Sequence, residues 1–136
     1  MIVIVCMDKT GGVAFNDRRQ SQDLRLRERI LNITNGKSLL MNSYSKKMFG
    51  DHPQIKVDEK FLENTLDDDY CFVENVDVVP YKDRIKKIIL YKWNRTYPND
   101  FKFGISLSSG WKLVQSEDFQ GNSHEKITEV IYEKVN

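Results

Sequence analysis

The chain begins with Met1-Ile2-Val3-Ile4-Val5-Cys6-Met7, an apolar stretch rich in β-branched residues. An uncharged run of this length, without polar alternation, predicts a strand that is buried on both faces, as in a parallel sheet. The stretch is too short to cross a bilayer, which takes about 20 apolar residues in a helix. It also lacks the basic flank and the small-residue cleavage site of a secretory signal, so we expect a cytoplasmic protein.

Helix-like and strand-like segments alternate along the rest of the chain. The predicted helices cover residues 22–34, 44–49, 59–66 and 80 to about 86, with Ser21, Ser43 and Asp58 as N-caps of the first three. The predicted strands cover residues 38–41, 70–74, 87–93, 101–103, 111–119 and 127–135; residues 13–21 are expected to form a loop, and residues 51–57 a loop or weak strand. This order predicts one α/β domain over residues 1–136, with a mostly parallel central sheet, flanking helices and an antiparallel C-terminal hairpin.

The composition is that of an ordinary globular protein and excludes several classes of function. The 136 residues include 21 Lys and Arg against 20 Asp and Glu, a net charge of +1 that gives no overall attraction to nucleic acid or to an anionic membrane. Cys6 and Cys71 lie in apolar runs, which favours buried thiols over a disulfide. Because the two cysteines and two histidines are far apart, no metal site is expected.

The first predicted helix carries two charged residues on its apolar side. On a helical wheel Asp23 and Arg27 lie among Leu26, Ile30 and Leu31, and they are four residues apart, close enough to pair. One interpretation is a partly exposed ion pair at the start of the helix, where an acid suits the helix dipole. The other is that Asp23 faces a cleft, since an unpaired carboxylate in a core is costly.

Several segments of the chain resemble dihydrofolate reductase, and together they cover most of its length. The matching segments are Met1–Val13, Gln22-Asp23-Leu24, Gly36–Met41, Val57-Asp58-Glu59, Lys86–Tyr91 and the C-terminal Trp111, Phe119 and Asn122-Ser123-His124. The last tripeptide, which precedes an alternating strand, is the most specific of them. The resemblance implies the single-domain fold of that family.

The resemblance also implies a site. In that family a carboxylate on the first helix binds the pteridine ring and assists its protonation while NADPH delivers hydride; Asp23 is the matching position. The remaining implied substrate-binding residues are Val5, Arg27, Ile30 and Tyr91. The implied cofactor-binding residues are Ser43, Ser45, Lys46, Glu74 and Asn75.

The chain departs from the family pattern at most of these positions. Arg27 replaces the aromatic residue that packs on folate, and we expect it to pair with Asp23 and lower the pKa of that acid. Tyr91 replaces the threonine that partners the acid. Glu74-Asn75 replaces a Gly-Gly pair, so that side chains would crowd the pyrophosphate and Glu74 would repel it. The family's phosphate-binding Arg is absent from Asn42–Ser45, and the chain is much shorter than usual between Phe49 and Val57.

We therefore predict a dihydrofolate-reductase-like protein with degenerate sites and no cofactor. Such a protein is non-catalytic and binds a protein partner or a small anionic ligand. The alternative is a divergent NADPH-dependent dihydrofolate reductase, and an unrelated α/β domain remains a third possibility. Neither a metal nor a membrane partner is expected. Nucleic acid is not expected either, because the arginines near the first helix are typical of a solvated face. His124 is expected to be a hydrogen-bonded surface residue of a turn.

Overall fold

The computed structural model describes residues 1–135, and Asn136, the last residue of the predicted domain, lies outside the described residues. The strands are β1 (Ile2–Met7), β2 (Gly12–Phe15), β3 (Arg18–Arg19), β4 (Leu39–Met41), β5 (Ile55–Val57), β6 (Tyr70–Val73), β7 (Lys87–Lys92), β8 (Phe101–Lys102), β9 (Trp111–Phe119) and β10 (Ile127–Lys134). The helices are α1 (Leu24–Ile33), α2 (Ser43–Phe49) and α3 (Phe61–Asn64), with a 3₁₀ helix at Val79–Arg84.

Seven strands form the central sheet in the order β5-β4-β6-β1-β7-β10-β9. β1 pairs in parallel with β6 on one side and with β7 on the other. Only β10 runs against its neighbours, β7 and β9. A second, small sheet has the order β3-β2-β8. The prediction of a mostly parallel sheet with an antiparallel C-terminal hairpin is confirmed.

The central strand β1 supplies both layers of the core, as its apolar run predicts. Val3 and Val5 pack on one face of the sheet and Ile4 on the other, and all three are fully buried. Leu26 and Ile30 of α1 cover the face of Ile4. The carboxyl ends of β1 and β6 consequently point to the space between α1 and α2, where a ligand site is expected in a sheet of this kind.

Residues 13–21 form a hairpin and not the predicted loop. β2 and β3 pair antiparallel, and Asn16 and Asp17, with φ of 50° and 62°, make the turn between them. Asn and Asp accept this left-handed backbone more readily than other L-residues, which suits a two-residue hairpin turn. The sequence did not predict this hairpin because its strands are only four and two residues long.

Several helix ends also differ from the prediction. Asp23, not Ser21, caps α1, because its Oδ1 accepts the Leu26 N–H at 3.1 Å. Asn42, not Ser43, caps α2 through the Ser45 N–H at 3.0 Å. The helix predicted at 59–66 is confined to Phe61–Asn64, and the one starting near Pro80 is a 3₁₀ helix that ends at Arg84. Leu24, assigned to the apolar half of α1, is 46% exposed.

Both cysteines are free thiols, Cys71 buried and Cys6 partly buried. Within residues 1–135, none of the helices has the length and apolar character needed to span a membrane.

Candidate functional site

An enclosed cavity lies where the resemblance places the pteridine, at the carboxyl ends of β1 and β6. Its walls come from both strands, from α1 and α2 and from the segment that joins β3 to α1. Its lining includes Asp23, Arg27, Ile30 and Glu74, four of the predicted site residues. The volume is about 20 Å³, room for about one water molecule and far below the 300–1,000 Å³ typical of ligand sites.

The other predicted substrate-binding residues lie elsewhere. Val5 is fully buried and packs in the core on the opposite face of the sheet. Tyr91 is also fully buried, and its hydroxyl donates to Glu129 Oε2 at 2.8 Å instead of contacting Asp23. Tyr91, which stands at the place of the family's acid-partnering threonine, turns to Glu129 because that residue of the neighbouring strand β10 offers it a buried acceptor.

An ion pair fills the space next to the cavity. Arg19 donates from Nε to Glu74 Oε2 at 2.8 Å and from Nη2 to Glu74 Oε1 at 3.0 Å. Ser45 Oγ donates to the same Oε1 at 2.7 Å. The guanidinium of Arg19 also lies 4.4 Å from the centre of the Tyr44 ring. Ser45 and Glu74, two of the implied cofactor-binding residues, therefore hydrogen-bond each other, and Arg19 provides the other hydrogen bonds to Glu74.

The chain's own carboxylates also occupy the start of α2. The Ser43 N–H donates to both carboxylate oxygens of Glu59 at 3.2 Å, and Ser43 Oγ donates to Oε1 of the same residue. Lys46 pairs with Asp51. Asn75, the last of the implied cofactor residues, accepts a hydrogen bond from Asn42 Nδ2 through Oδ1 and donates from Nδ2 to the Asp17 carbonyl. A phosphate bound at the start of α2 would have to displace the Glu59 carboxylate, whose negative charge would repel it.

Asp23 is held by the turn before β10 and not by Arg27. Its Oδ1 accepts the Asn122 N–H at 3.0 Å and its Oδ2 accepts the Ser123 N–H at 2.9 Å. Gly121 makes this approach possible, since a Cβ there would lie 2.6 Å from Asp23 Oδ2. Burial alone would raise the pKa of Asp23, but hydrogen bonds from Asn122, His124 and Ser123 outweigh it and hold that pKa well below its ordinary value.

The expected pair between Asp23 and Arg27 is therefore absent. Arg27 Nη1 donates to Gln22 Oε1 at 3.0 Å. The reason is the cap: the Asp23 side chain turns back over the first turn of α1 to reach Leu26, which takes it away from the residue four positions on.

His124 is buried, contrary to the prediction of a surface histidine. It is 4% exposed, and its ring stacks on Trp93 with 4.6 Å between ring centres. Nδ1 lies 3.0 Å from Asp23 Oδ2, whereas Nε2 lies 3.0 Å from Ser21 Oγ and 3.1 Å from the Tyr97 hydroxyl. No spacing rule joins residues about a hundred positions apart, so only the fold brings them together.

A second buried carboxylate, Glu129, lies between α1 and the C-terminal hairpin. It accepts hydrogen bonds from Arg29 Nε at 2.9 Å, from the Tyr91 hydroxyl at 2.8 Å and from Gln115 Nε2 at 2.9 Å. Burial and the neighbouring Glu129 raise the pKa of Tyr91 well above its ordinary value, so the phenol stays protonated and donates. This cluster fastens α1 to the sheet, and none of its four residues lines the small cavity.

An open groove runs outside the filled cofactor position. It lies between the β2–β3 turn and α2 and has a volume of about 560 Å³. Arg18, Lys47, Tyr44 and Asn75 are among its lining residues. Arg18 and Lys47 are exposed and have no ion-pair partner within residues 1–135. The sequence placed Arg18 in a solvated basic cluster, and the groove is visible only in the folded chain.

No group of three or more His, Cys, Asp or Glu side chains within the described residues is arranged to hold a metal ion.

Comparison with known proteins relates the chain to others by its fold alone. No protein-family model matches the sequence, and no curated protein does. Among solved structures, the dihydrofolate reductase from Enterococcus faecalis, complexed with NADP(H) and RAB-propyl, superimposes with a TM-score of 0.73 at 10% sequence identity. The match covers 99% of this chain and 96% of that one. Together with the strand order and the position of the cavity, this shows that the chain has a dihydrofolate-reductase-like fold.

Proposed function

We propose that this chain is a binding protein that has kept the dihydrofolate reductase fold without the reductase reaction, and that its ligand is a small anion. The observation that carries the proposal is that the chain's own side chains fill the sites that the family resemblance implies for the cofactor. Glu74 and Glu59 hold the positions that would receive cofactor phosphates. The cavity of about 20 Å³ is too small for a pteridine ring.

The open groove beside Tyr44 supports the anionic ligand. Its volume of about 560 Å³ lies within the range of small-molecule sites. Arg18 and Lys47 supply two positive charges against the single carboxylate of Asp17, and the Tyr44 ring offers an apolar surface. A charge-assisted hydrogen bond to an anion is worth about 1.5–3 kcal/mol, so two such contacts are enough for measurable binding of a small multivalent anion.

Titration of the purified chain with NADPH, methotrexate and inorganic pyrophosphate tests the proposal. Trp93 and Trp111 fluorescence and the melting temperature report binding. We expect saturable binding of pyrophosphate and none of methotrexate or NADPH below millimolar concentration. Arg18→Ala and Lys47→Ala should each weaken pyrophosphate binding about tenfold or more, since each removes one charge-assisted contact.

Lys56→Ala is the matched control, because Lys56 is an exposed lysine on β5, away from the groove. It should bind pyrophosphate as the unaltered chain does. Micromolar binding of both NADPH and methotrexate would contradict the proposal and support the divergent reductase, whose fold relative carries NADP(H).

A protein partner is the second candidate, and a specific surface favours it. Val79, Leu113 and Val135 are 37%, 53% and 53% exposed, and Val79 and Val135 border a groove beside Trp111. Failure of all three small ligands to bind a folded chain would favour this candidate over the anion.

A further inference from the structure

The buried contacts of His124 have the form of a nucleophilic relay. Asp23 Oδ2 lies 3.0 Å from His124 Nδ1, and His124 Nε2 lies 3.0 Å from Ser21 Oγ. This order of carboxylate, imidazole and hydroxyl activates serine in several unrelated hydrolase folds, and it is recognised by geometry and not by position in the chain.

The hydrogen-bond pattern around Asp23 selects the tautomer that the relay needs. Asp23 is 2% exposed and accepts backbone N–H groups from Asn122, Ser123 and Leu26. An ionised carboxylate can only accept, so His124 carries its proton on Nδ1 and donates it to Asp23. His124 Nε2 is then an acceptor for which the Ser21 and Tyr97 hydroxyls compete, and stacking on Trp93 keeps the ring in that plane.

Ser21 is not buried with the other two residues, and it lines the small cavity beside the open groove. It is partly exposed, in the segment between β3 and α1. Tyr97, whose hydroxyl lies 3.1 Å from His124 Nε2, also lines an open groove of about 710 Å³ with Arg18, Gln20 and Pro98. The groove therefore comes within one side chain of the base, and Arg18 gives it positive charge.

The small cavity on the other side of Ser21 is suited to water. Ser21 and Gln20 both line it, and Gln20 Oε1 is a buried acceptor without a hydrogen-bond donor within residues 1–135. One water molecule fits the volume of about 20 Å³ and would supply the missing donor.

From these contacts we propose that the chain cleaves small carboxylic esters that bear a negative charge. Ser21 is the nucleophile, His124 the general base and acid, and Asp23 the positioning residue. Ser21 Oγ bonds to the carbonyl carbon while its proton passes to His124 Nε2. The bond to the leaving alkoxide then breaks, and the alkoxide takes that proton. Water then adds to the carbonyl carbon of the acyl-serine while its proton passes to His124 Nε2. The bond from that carbon to Ser21 Oγ breaks as Oγ takes this proton, which releases the acid and restores Ser21.

The inference goes beyond anion binding and is tested separately with a fluorophosphonate, whose phosphorus bonds to an activated serine as fluoride leaves. We expect one covalent adduct, on Ser21 by peptide mapping. Ser21→Ala should abolish the adduct because it removes the nucleophile, and His124→Gln should slow labelling by about 10²–10⁴-fold, the usual contribution of general-base catalysis.

Ser116→Ala is the matched control: Ser116 is an exposed serine on β9, and its labelling and melting temperature should equal those of the unaltered chain. Ser21→Ala removes a single partly exposed oxygen, so its fold can be verified by melting even if His124→Gln unfolds. If the folded, unaltered chain is labelled no faster than Ser21→Ala, the inference is overturned.

Discussion

Replacing Arg29 by methionine is expected to lower the free energy of unfolding by about 3 kcal/mol. Removing one partner of a buried ion pair costs about 3–5 kcal/mol because the other charge is left in a poor solvent. Glu129 is 3% exposed, but Tyr91 and Gln115 continue to donate to it. Those two contacts place the expected loss at the lower end of the range.

The loss should depend on pH in a direction that the structure sets. Burial raises the pKa of Glu129, whereas Arg29 and Tyr91 lower it and prevail, leaving the pKa below its ordinary value. In the unaltered chain the contacts of ionised Glu129 stabilise the fold at pH values above the unfolded-state pKa of about 4.3. This stabilisation is lost as the pH falls below that value and through the lower folded-state pKa. Without Arg29 the burial effect dominates, so the variant regains relative stability on acidification.

Urea unfolding at pH 7 and pH 4 measures both effects. Arg25→Met is the control: Arg25 is exposed on the same helix and pairs with no acid within residues 1–135, so its change should stay within about 0.5 kcal/mol. Arg29→Met combined with Glu129→Gln should recover part of the loss. A double variant as unstable as the sum of its two single variants would show that the two side chains do not interact.

Replacing Asp8 by alanine should lower the free energy of unfolding by a similar amount, about 3 kcal/mol. Asp8 is 3% exposed and accepts the N–H groups of Thr10 and Gly12 through Oδ1 at 2.8 and 2.9 Å, and that of Tyr97 through Oδ2 at 3.0 Å. It thus joins the turn after β1 to the loop that carries Tyr97. Without the carboxylate these donors lose their acceptor, and each buried unsatisfied group costs about 1–3 kcal/mol.

Asp8 also makes the unaltered chain sensitive to acid. Burial alone would raise the pKa of Asp8, but hydrogen bonds from Tyr97, Thr10 and Gly12 prevail and lower that pKa to about 2. The folded state therefore loses about 2 kcal/mol of stability as the pH falls from above 4 to 2. Unfolding curves across this range should show a smaller acid loss for Asp8→Ala than for the unaltered chain.

Asp83→Ala serves as the comparison, since Asp83 is exposed and accepts no side-chain or backbone hydrogen bond within the described part of the chain. Its acid loss should match that of the unaltered chain. An acid loss for Asp8→Ala as large as that of Asp83→Ala would contradict the assignment to Asp8.

The two clusters differ in how far the sequence predicted them. Asp8 follows an apolar run and precedes Gly11-Gly12, which identifies a turn but not its contact with Tyr97 about ninety residues later. On a helical wheel Arg29 lies on the polar half of its helix. The residue that contacts Arg29 is determined by the sheet, because Glu129 lies on β10.

The candidate site was predicted less well than the fold. Asp23, Arg27, Ile30 and Glu74, four residues of the predicted site, line one cavity. The sequence also showed that Glu74 would oppose a phosphate. It did not show that Arg19 would neutralise Glu74, because Arg19 lies in a hairpin too short to be recognised.

By itself the sequence determined the order of the longer strands and helices, the parallel centre and the antiparallel end of the sheet. These follow from local patterns: β-branched apolar runs, capping residues and glycine turns act within a few positions of one another. Only the tertiary structure decided which polar groups meet. Ser21, Asp23 and His124, or Arg29 and Glu129, come together across a hundred residues because buried polar groups must find partners, and the packing of α1 on the sheet determines which partners are within reach.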